Sequence, residues 1–360
     1  MRCLNFNGGP AAMPLSVLER VAAETLDWGG TGMSVMEISH RSKEVAAMCS
    51  ETQELIKSLL GLGEEWEVLF CQGGASLQFA MLPLNFAGPG GVCDYVDTGV
   101  WSTKAFQEAQ ICGAAPHMAA SSESDDFTHI PDKFDFSPKP KYVYLCTNNT
   151  VRGTRWATFP QDAPGPLVGD FSSEFMARKH DLSKFGLAFA GAQKNVGPAG
   201  LTIVLIRKAF AETARKGLPR MLDYRVYLEH GSMYNTPPVQ AIYVSNLIFK
   251  WLRDEIGGLA KMEELNEAKA KLLYGYIDQT GGFYRGTAQV GSRSPMNVTF
   301  RLAKGELEKP FLEEAKKEGL SGLGGHRSVG GVRASLYNAL DIQAVETLIS
   351  YMSAFMAKNG

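Results

Sequence analysis

The chain lacks any marked excess of charge. Its 360 residues carry 36 Lys and Arg against 38 Asp and Glu, a formal net charge of −2. Nucleic-acid-binding domains ordinarily show a basic excess, so this balance gives that class no support. No apolar run approaches the roughly 18 residues that a membrane helix requires, and the longest, such as 201–206, have strand length. Residues 1–9 contain no apolar signal region, so a cytoplasmic protein is expected. Cysteine is sparse: Cys3, Cys49, Cys71, Cys93, Cys112 and Cys146, with no Cys-x-x-Cys pair and none after Asp170. That spacing reads as reduced thiols, not as a disulfide framework or a zinc site. The histidines are scattered without His-Glu-x-x-His, and neither a Walker A motif nor Gly-x-Gly-x-x-Gly occurs. The common metal and nucleotide motifs therefore do not account for this chain.

Glycine, by contrast, is plentiful at 38 residues, which suits tight turns and close backbone approach to a ligand. The length suggests two to three domain-sized units with a sizeable core. Amphipathic periodicity predicts helices over 15–26 and from Ser42 onward, where Val45, Cys49, Thr52, Ile56 and Leu59 recur at helical spacing. Ser42 suits the cap of that helix. Apolar runs predict strands at 67–71, 92–97, 142–146, 166–169, 187–190 and 201–207, with helices from Leu77 and over 102–110 between them. Residues 121–140 are polar and contain proline, and read as loop. Alternating strands and helices predict an α/β fold, with a mainly parallel sheet flanked by helices. Beyond Gly257-Gly258 the pattern changes. Helices over 239–256 and 258–276 precede strands at 296–302 and 332–336, which alternate with helices at 310–318 and 342–357. This reads as a smaller α+β domain. The expected division is an N-terminal segment (1–14), a large domain (15–256) and a small C-terminal domain (257–360).

Three local patterns suggest chemistry. In Phe189-Ala190-Gly191-Ala192-Gln193-Lys194-Asn195-Val196-Gly197-Pro198-Ala199-Gly200, an apolar strand runs through small residues into Lys194. A lysine against low-dielectric walls loses preference for its ammonium form and becomes a usable nucleophile. An isolated turn lysine is ordinarily just solvated. Asp170 ends the strand 166–169, where open α/β sheets place ligands. Alone it would read as a cap or turn residue. Together, an aspartate and a lysine so placed match a known division of labour: the acid keeps a pyridinium nitrogen protonated while the lysine bonds the aldehyde of pyridoxal phosphate. Gln72-Gly73-Gly74-Ala75-Ser76 lies between a strand and a helix, a place where backbone N–H groups meet anions; alone it would read as a tight turn with a Ser helix cap. Trp101 follows a strand and could stack on a flat ring, or simply pack.

Longer stretches carry a family resemblance. They are Gly8-Gly9-Pro10, Gly32-Met33-Ser34-Val35-Met36-Glu37-Ile38-Ser39-His40-Arg41-Ser42, Gln72 to Ser76, Gly191 to Gly200, Tyr234-Asn235-Thr236-Pro237-Pro238, and Gly325-His326-Arg327-Ser328-Val329-Gly330-Gly331-Val332-Arg333-Ala334-Ser335. In these, almost end to end, the chain resembles the phosphoserine aminotransferase family, within the fold-type I, class V pyridoxal-phosphate enzymes. The resemblance implies that Lys194 is the Schiff-base lysine, that Asp170 partners the pyridinium nitrogen and that Trp101 stacks on the cofactor ring. It implies a cofactor hydrogen bond from Thr150. Ala75, Ser76 and Gln193, with Ser172 as a further candidate, match phosphate-binding positions. Asn235 and Thr236 match the pair that reaches the same phosphate from a neighbouring subunit, so a homodimer with shared sites is implied. Arg333 matches the residue that pairs with the substrate α-carboxylate. His326 and Arg327, with His40 and Arg41 from the other subunit, match a distal anion pocket for phosphate or the glutamate side chain.

Two departures stand out: some members carry Arg at the position of Ser76, and some bacterial members carry Ser at that of Gly8. The implied activity is amino transfer between glutamate and 3-phosphohydroxypyruvate, giving 2-oxoglutarate and O-phosphoserine. Alternatives are another class V enzyme, such as an alanine–glyoxylate aminotransferase or a cysteine desulfurase, or a catalytically silent protein on the same fold. The absence of cysteine after Asp170 counts against a desulfurase, and the presence of both Lys194 and Asp170 counts against a silent scaffold.

Overall fold

A computed structural model describes residues 2–360. Seven strands form the principal sheet: β1 (Trp66–Cys71), β2 (Val92–Asp97), β3 (Ala115–Ser121), β4 (Val143–Cys146), β5 (Leu167–Asp170), β6 (Phe185–Gly191) and β7 (Thr202–Arg207), in the spatial order β1-β7-β6-β5-β4-β2-β3. β7 runs antiparallel to both of its neighbours. The pairings from β6 through β5, β4 and β2 to β3 are all parallel. The sheet is therefore the mainly parallel one that the alternating pattern predicts.

Every residue of β4, β5 and β6 is buried, as expected of parallel strands covered on both faces. The two-residue period of a strand divides their side chains between two cores. Along β1, Val68 and Phe70 enter one core, beside Ile56, Ile242 and Phe249. Leu69 and Cys71 enter the other, beside Phe79, Tyr144 and Phe189. The first face is covered by α1 (Leu15–Ala23), α2 (Lys43–Leu60) and α5 (Val239–Trp251). Ser42 caps α2 as predicted, its Oγ accepting from the Val45 N–H at 3.2 Å. Gly61 closes the helix in the left-handed conformation, φ 66°. On the second face lie α3 (Gly74–Leu82) and α4 (Val100–Ile111).

Three differences from the sequence reading concern local signals. α3 begins at Gly74 instead of Leu77, because Gly73 with φ 86° supplies the turn into the helix. β3 was not predicted: Ala115–Ser121 is mostly short or polar residues, and its strand state comes from pairing with β2. The helix expected over 239–256 is α5 followed by a π-helical turn, Leu252–Ile256, which ends at Gly257 with φ 90°.

A third core is built by α6 (Leu259–Gln279), α7 (Glu308–Lys317) and α8 (Ile342–Asn359) on an antiparallel sheet of β8 (Tyr284–Gly286), β9 (Asn297–Leu302) and β10 (Val332–Ser335). The N-terminal segment belongs to this core through Phe6, which is fully buried. Leu4–Asn5 pairs in parallel with Leu320–Ser321. Beyond Phe6 the segment crosses to the other unit, where the Ala11 N–H donates to the Gln193 carbonyl at 2.9 Å. No helix among the described residues is long and apolar enough to cross a membrane.

Candidate active site

The site is assembled at the carboxyl edge of the parallel sheet. β5 ends at Asp170, in register with Cys146 at the end of β4. Lys194 lies three residues beyond the end of β6, the strand beside β5. Asp170 is 6% exposed. Its Oδ1 accepts the Ser172 N–H at 2.9 Å. Burial raises its pKa, while the Lys194 ammonium and the Ser172 hydrogen bonds oppose the rise. For Lys194 the order is the same: desolvation lowers its pKa, against the opposing charge of Asp170, and Arg333 lowers it further. The lysine is thus brought toward a neutral, nucleophilic amine beside a carboxylate that favours a cation.

Trp101 lies in the first turn of α4, with the Lys194 Nζ 5.6 Å from its ring centroid. Asp97 holds that turn. Its Oδ1 accepts from the Gly99 N–H at 3.1 Å, the Ser102 hydroxyl at 2.7 Å and the Thr103 hydroxyl at 3.1 Å. The sequence reading did not single out Asp97, although an aspartate just before a glycine and a helix was a signal for it. The indole N–H of Trp101 donates to the Thr150 hydroxyl at 3.1 Å. The Thr150 carbonyl accepts from Arg333 Nη1 at 3.1 Å. Trp101, Thr150 and Arg333 therefore form one connected row. Arg333 is half-buried, and its buried Nε has no hydrogen-bond partner. A guanidinium kept dry and incompletely paired suits a carboxylate.

Gly8 explains how Arg333 fits: a Cβ there would lie 2.5 Å from the Arg333 Cζ. The space that a side chain at Gly8 would take is filled by the guanidinium itself.

Ala75 and Ser76 occupy the first turn of α3, which has no capping side chain. The free N–H groups there, with the helix dipole behind them, suit a phosphate. Ser172 donates nothing to that turn; its hydroxyl accepts the Gly191 N–H at 3.0 Å and braces the strand before Gln193 and Lys194. Asn235 and Thr236 lie on a loop where the Thr236 carbonyl accepts from Gln72 at 3.4 Å. His326 sits on the loop that leads from Leu320–Ser321 into β10. Its Nδ1 accepts the Ser328 N–H at 3.3 Å and lies 2.7 Å from the Ser328 hydroxyl. Burial, Arg333, Arg327 and Lys104 all lower its pKa, which disfavours its charged form. Arg327 is exposed. Arg301 holds this loop, donating to the Val329 carbonyl at 3.0 Å.

Within one protomer, no hydrogen bond or ion pair among the described residues joins His40, Arg41 or Asn235 to the cluster around Lys194. Arg41 is exposed, and the buried Nε2 of His40 has no partner.

The residues fit pyridoxal phosphate. There is an activated amine for its aldehyde, a buried carboxylate for its ring nitrogen, an indole for its ring and an uncapped helix for its phosphate. No group of His, Cys, Asp and Glu suited to a metal occurs among the described residues.

Comparison with known proteins places this site in a class: the family model for class-V aminotransferases matches residues 3–348. The phosphoserine aminotransferase of Desulfosudis oleivorans is 51% identical over 359 residues, covering 100% of this chain and 99% of its own. The solved phosphoserine aminotransferase from Bacillus circulans subsp. alkalophilus superposes with a TM-score of 0.97 at 47% identity, covering 100% of this chain and 99% of its own. A pyridoxal-phosphate-bound phosphoserine aminotransferase from Trichomonas vaginalis gives 0.92 at 40% identity, covering 98% of this chain and 100% of its own. The chain belongs to the phosphoserine aminotransferase family.

Proposed function

We propose that this chain is the enzyme that moves an amino group reversibly between L-glutamate and 3-phosphohydroxypyruvate, yielding O-phospho-L-serine and 2-oxoglutarate for serine biosynthesis. The observation that carries the reading is the pairing of Lys194 with Asp170 on adjacent parallel strand ends, with Arg333 joined to the same site through Thr150.

Pyridoxal phosphate, when bound, supplies the electron sink and carries the amino group between the two half-reactions. Lys194 holds the cofactor between turnovers. Its amine, freed by the incoming amino acid and already biased toward neutrality, would take the proton from the substrate α-carbon as general base and deliver it, as general acid, to the C4′ carbon of the cofactor. The Asp170 carboxylate, supported by the Ser172 hydrogen bonds, would keep a proton on the ring nitrogen. Trp101 covers the ring, and Thr150 orients the indole. The N–H groups of Ala75 and Ser76, with Gln193, take the cofactor phosphate, and Ser172 steadies the strand that presents Gln193. Arg333 binds the α-carboxylate common to all amino substrates. Arg327 and His326 meet the distal phosphate or carboxylate.

The active form is a homodimer in which Asn235 and Thr236 of the partner subunit complete the phosphate site. His40 and Arg41 of the partner subunit complete the distal pocket. Two features support this. His40 and Arg41 find no role within one protomer. Leu26, Met33 and Met36, in the segment that leads to them, are 86%, 46% and 57% exposed, an apolar exposure that suits an interface. The division into 1–14, 15–256 and 257–360 follows the separate third core and the glycine break after the π-helical turn. A cytoplasmic setting suits the six unpaired thiols.

The test is a half-reaction. The purified, cofactor-loaded protein is mixed in turn with O-phosphoserine, glutamate, serine and alanine, and the visible absorbance is followed. Rapid bleaching by the first two and slow bleaching by the others is expected. Equal rates with all four would remove the assignment of substrate.

A further inference from the structure

Lys269, on α6, is a charged residue with no part in the chemistry above, yet it is 2% exposed. Its Nζ donates to the carbonyls of Leu336 at 3.0 Å, Tyr337 at 3.0 Å and Leu340 at 2.8 Å. Burying an ammonium is costly unless it is fully hydrogen-bonded. Here each of its three protons has a carbonyl to meet. Burial still draws its pKa down to about 7, with Asp341 opposing. All three acceptors belong to one turn, 336–340, which joins β10, the strand of Arg333, to α8.

That turn is the joint between the two halves of the site. The Tyr337 hydroxyl donates to the Gly8 carbonyl at 3.1 Å. The Asn338 N–H donates to the Asn195 Oδ1 at 3.1 Å. Asn195 is the residue after Lys194. The Asn338 amide also donates to the Met176 carbonyl at 2.8 Å, on the segment that follows Asp170. Met176 has φ 59°, a left-handed conformation that a non-glycine residue holds only when its surroundings enforce it. Asn266, one turn before Lys269 on α6, donates to the Asn338 Oδ1 at 3.0 Å and to the Ala177 carbonyl at 3.1 Å. No hydrogen bond among the described residues restrains the Lys194 amine; burial and the charges of neighbouring groups act on it. Its placement therefore depends on the backbone beneath it, which Asn195 ties to the turn.

We propose that Lys269 is a positioning residue for the reaction: its ammonium fixes the 336–340 turn, and through Asn338 and Asn195 that turn sets Lys194 in place against Asp170. The inference rests on the reading of Lys194 as the reactive amine.

The experiment compares Lys269→Met, Lys269→Gln, Asn195→Ala and the Lys269→Met/Asn195→Ala pair with the parent enzyme. Steady-state kinetics for glutamate should show kcat reduced about tenfold in Lys269→Met, because small misplacements of a reacting group are costly, while KM moves less than about threefold. Lys269→Gln, which keeps two N–H donors, should recover part of the loss. The double variant should be little worse than Asn195→Ala alone, since both changes cut one route. Amide hydrogen exchange, on the protein with and without cofactor, should accelerate about tenfold at 192–197 as well as at 336–340.

Acceleration confined to α6 and 336–340, additive losses in kcat, or equal changes in kcat and KM would overturn the proposal. If Lys269→Met does not fold, Lys269→Gln and Asn195→Ala carry the same comparison. The exchange measured without cofactor does not depend on what Lys194 does. Turnover by Lys194→Ala would sink the functional reading while leaving the mechanical one standing.

Discussion

Replacing Arg333 and Arg327 one at a time separates their two roles, because the structure puts the two guanidiniums in different environments. Arg333 is half-buried, desolvated enough to lower its pKa, and paired through Nη1 only with the Thr150 carbonyl. A substrate carboxylate can take its remaining N–H groups in a two-point contact. A hydrogen bond to a charged group contributes about 1.5–3 kcal/mol. Two such bonds give about 3–6 kcal/mol, or roughly 10²- to 10⁴-fold in kcat/KM. Arg327 is exposed, so water screens it and the low end applies, about 1.5 kcal/mol or roughly tenfold. Arg333→Ala should therefore lower kcat/KM by the larger factor for O-phosphoserine, glutamate and alanine alike, since every one carries an α-carboxylate. Arg327→Ala should lower it about tenfold for O-phosphoserine and glutamate, whose distal groups are anionic, and change alanine less than about twofold. The assay is kcat/KM for the three substrates with the parent and both variants, at one ionic strength. Equal losses on all three substrates in Arg327→Ala would refute the distal-anion role. A loss confined to O-phosphoserine in Arg333→Ala would refute the carboxylate role.

Lys194→Ala should abolish turnover yet leave a folded protein that holds the cofactor without a covalent bond. Size exclusion and release of the cofactor on dialysis check this. Asp170→Asn should slow proton transfer at the substrate α-carbon, seen in single-turnover spectra with α-deuterated glutamate, because loss of the carboxylate no longer favours a protonated ring nitrogen. Mixing inactive Lys194→Ala with inactive Arg41→Ala subunits should restore activity through heterodimers that hold one intact site; exchange without recovered activity would show that each site is built from one chain. His180 is 7% exposed, and burial drives its pKa from 6.5 down to about 4. A base that must stay neutral to remain buried supports the fold fully above pH 6.5, and that support is lost as the pH falls toward 4. The difference of 2.5 units corresponds to about 3 kcal/mol. Thermal melting between pH 7 and pH 4 should show a shallower acid loss in His180→Phe than in the parent, and an unchanged slope would show that His180 does not govern it.

Much of the architecture was legible in the order of residues because short-range physics writes it there. The apolar runs at 92–97 and 201–207 have the length and flanks of strands, and they form β2 and β7. Ser42 announces α2 through its side-chain cap, and Gly257-Gly258 announces the break after α5 through positive φ. Where the signal was weak, pairing decided. Ala115–Ser121 has no strong strand pattern and becomes β3 only because β2 offers an open edge.

The chemistry divides in the same way. Lys194, Asp170 and Trp101 stand near the ends of predicted elements, which made them candidates, while their roles came from the family resemblance carried by the longer stretches. Three other features could not be read from spacing. The guanidinium of Arg333 lies where a Gly8 side chain would be, across more than 300 positions of sequence. The pKa of His326 is lowered because burial, Arg333, Arg327 and Lys104 act on it together. Lys269 is buried against a turn that braces Lys194 from another core. Hydrophobic period and turn chemistry act over a few residues and leave their mark in the sequence. Desolvation, charge proximity and steric exclusion depend on which distant segments meet, and only the folded chain determines that.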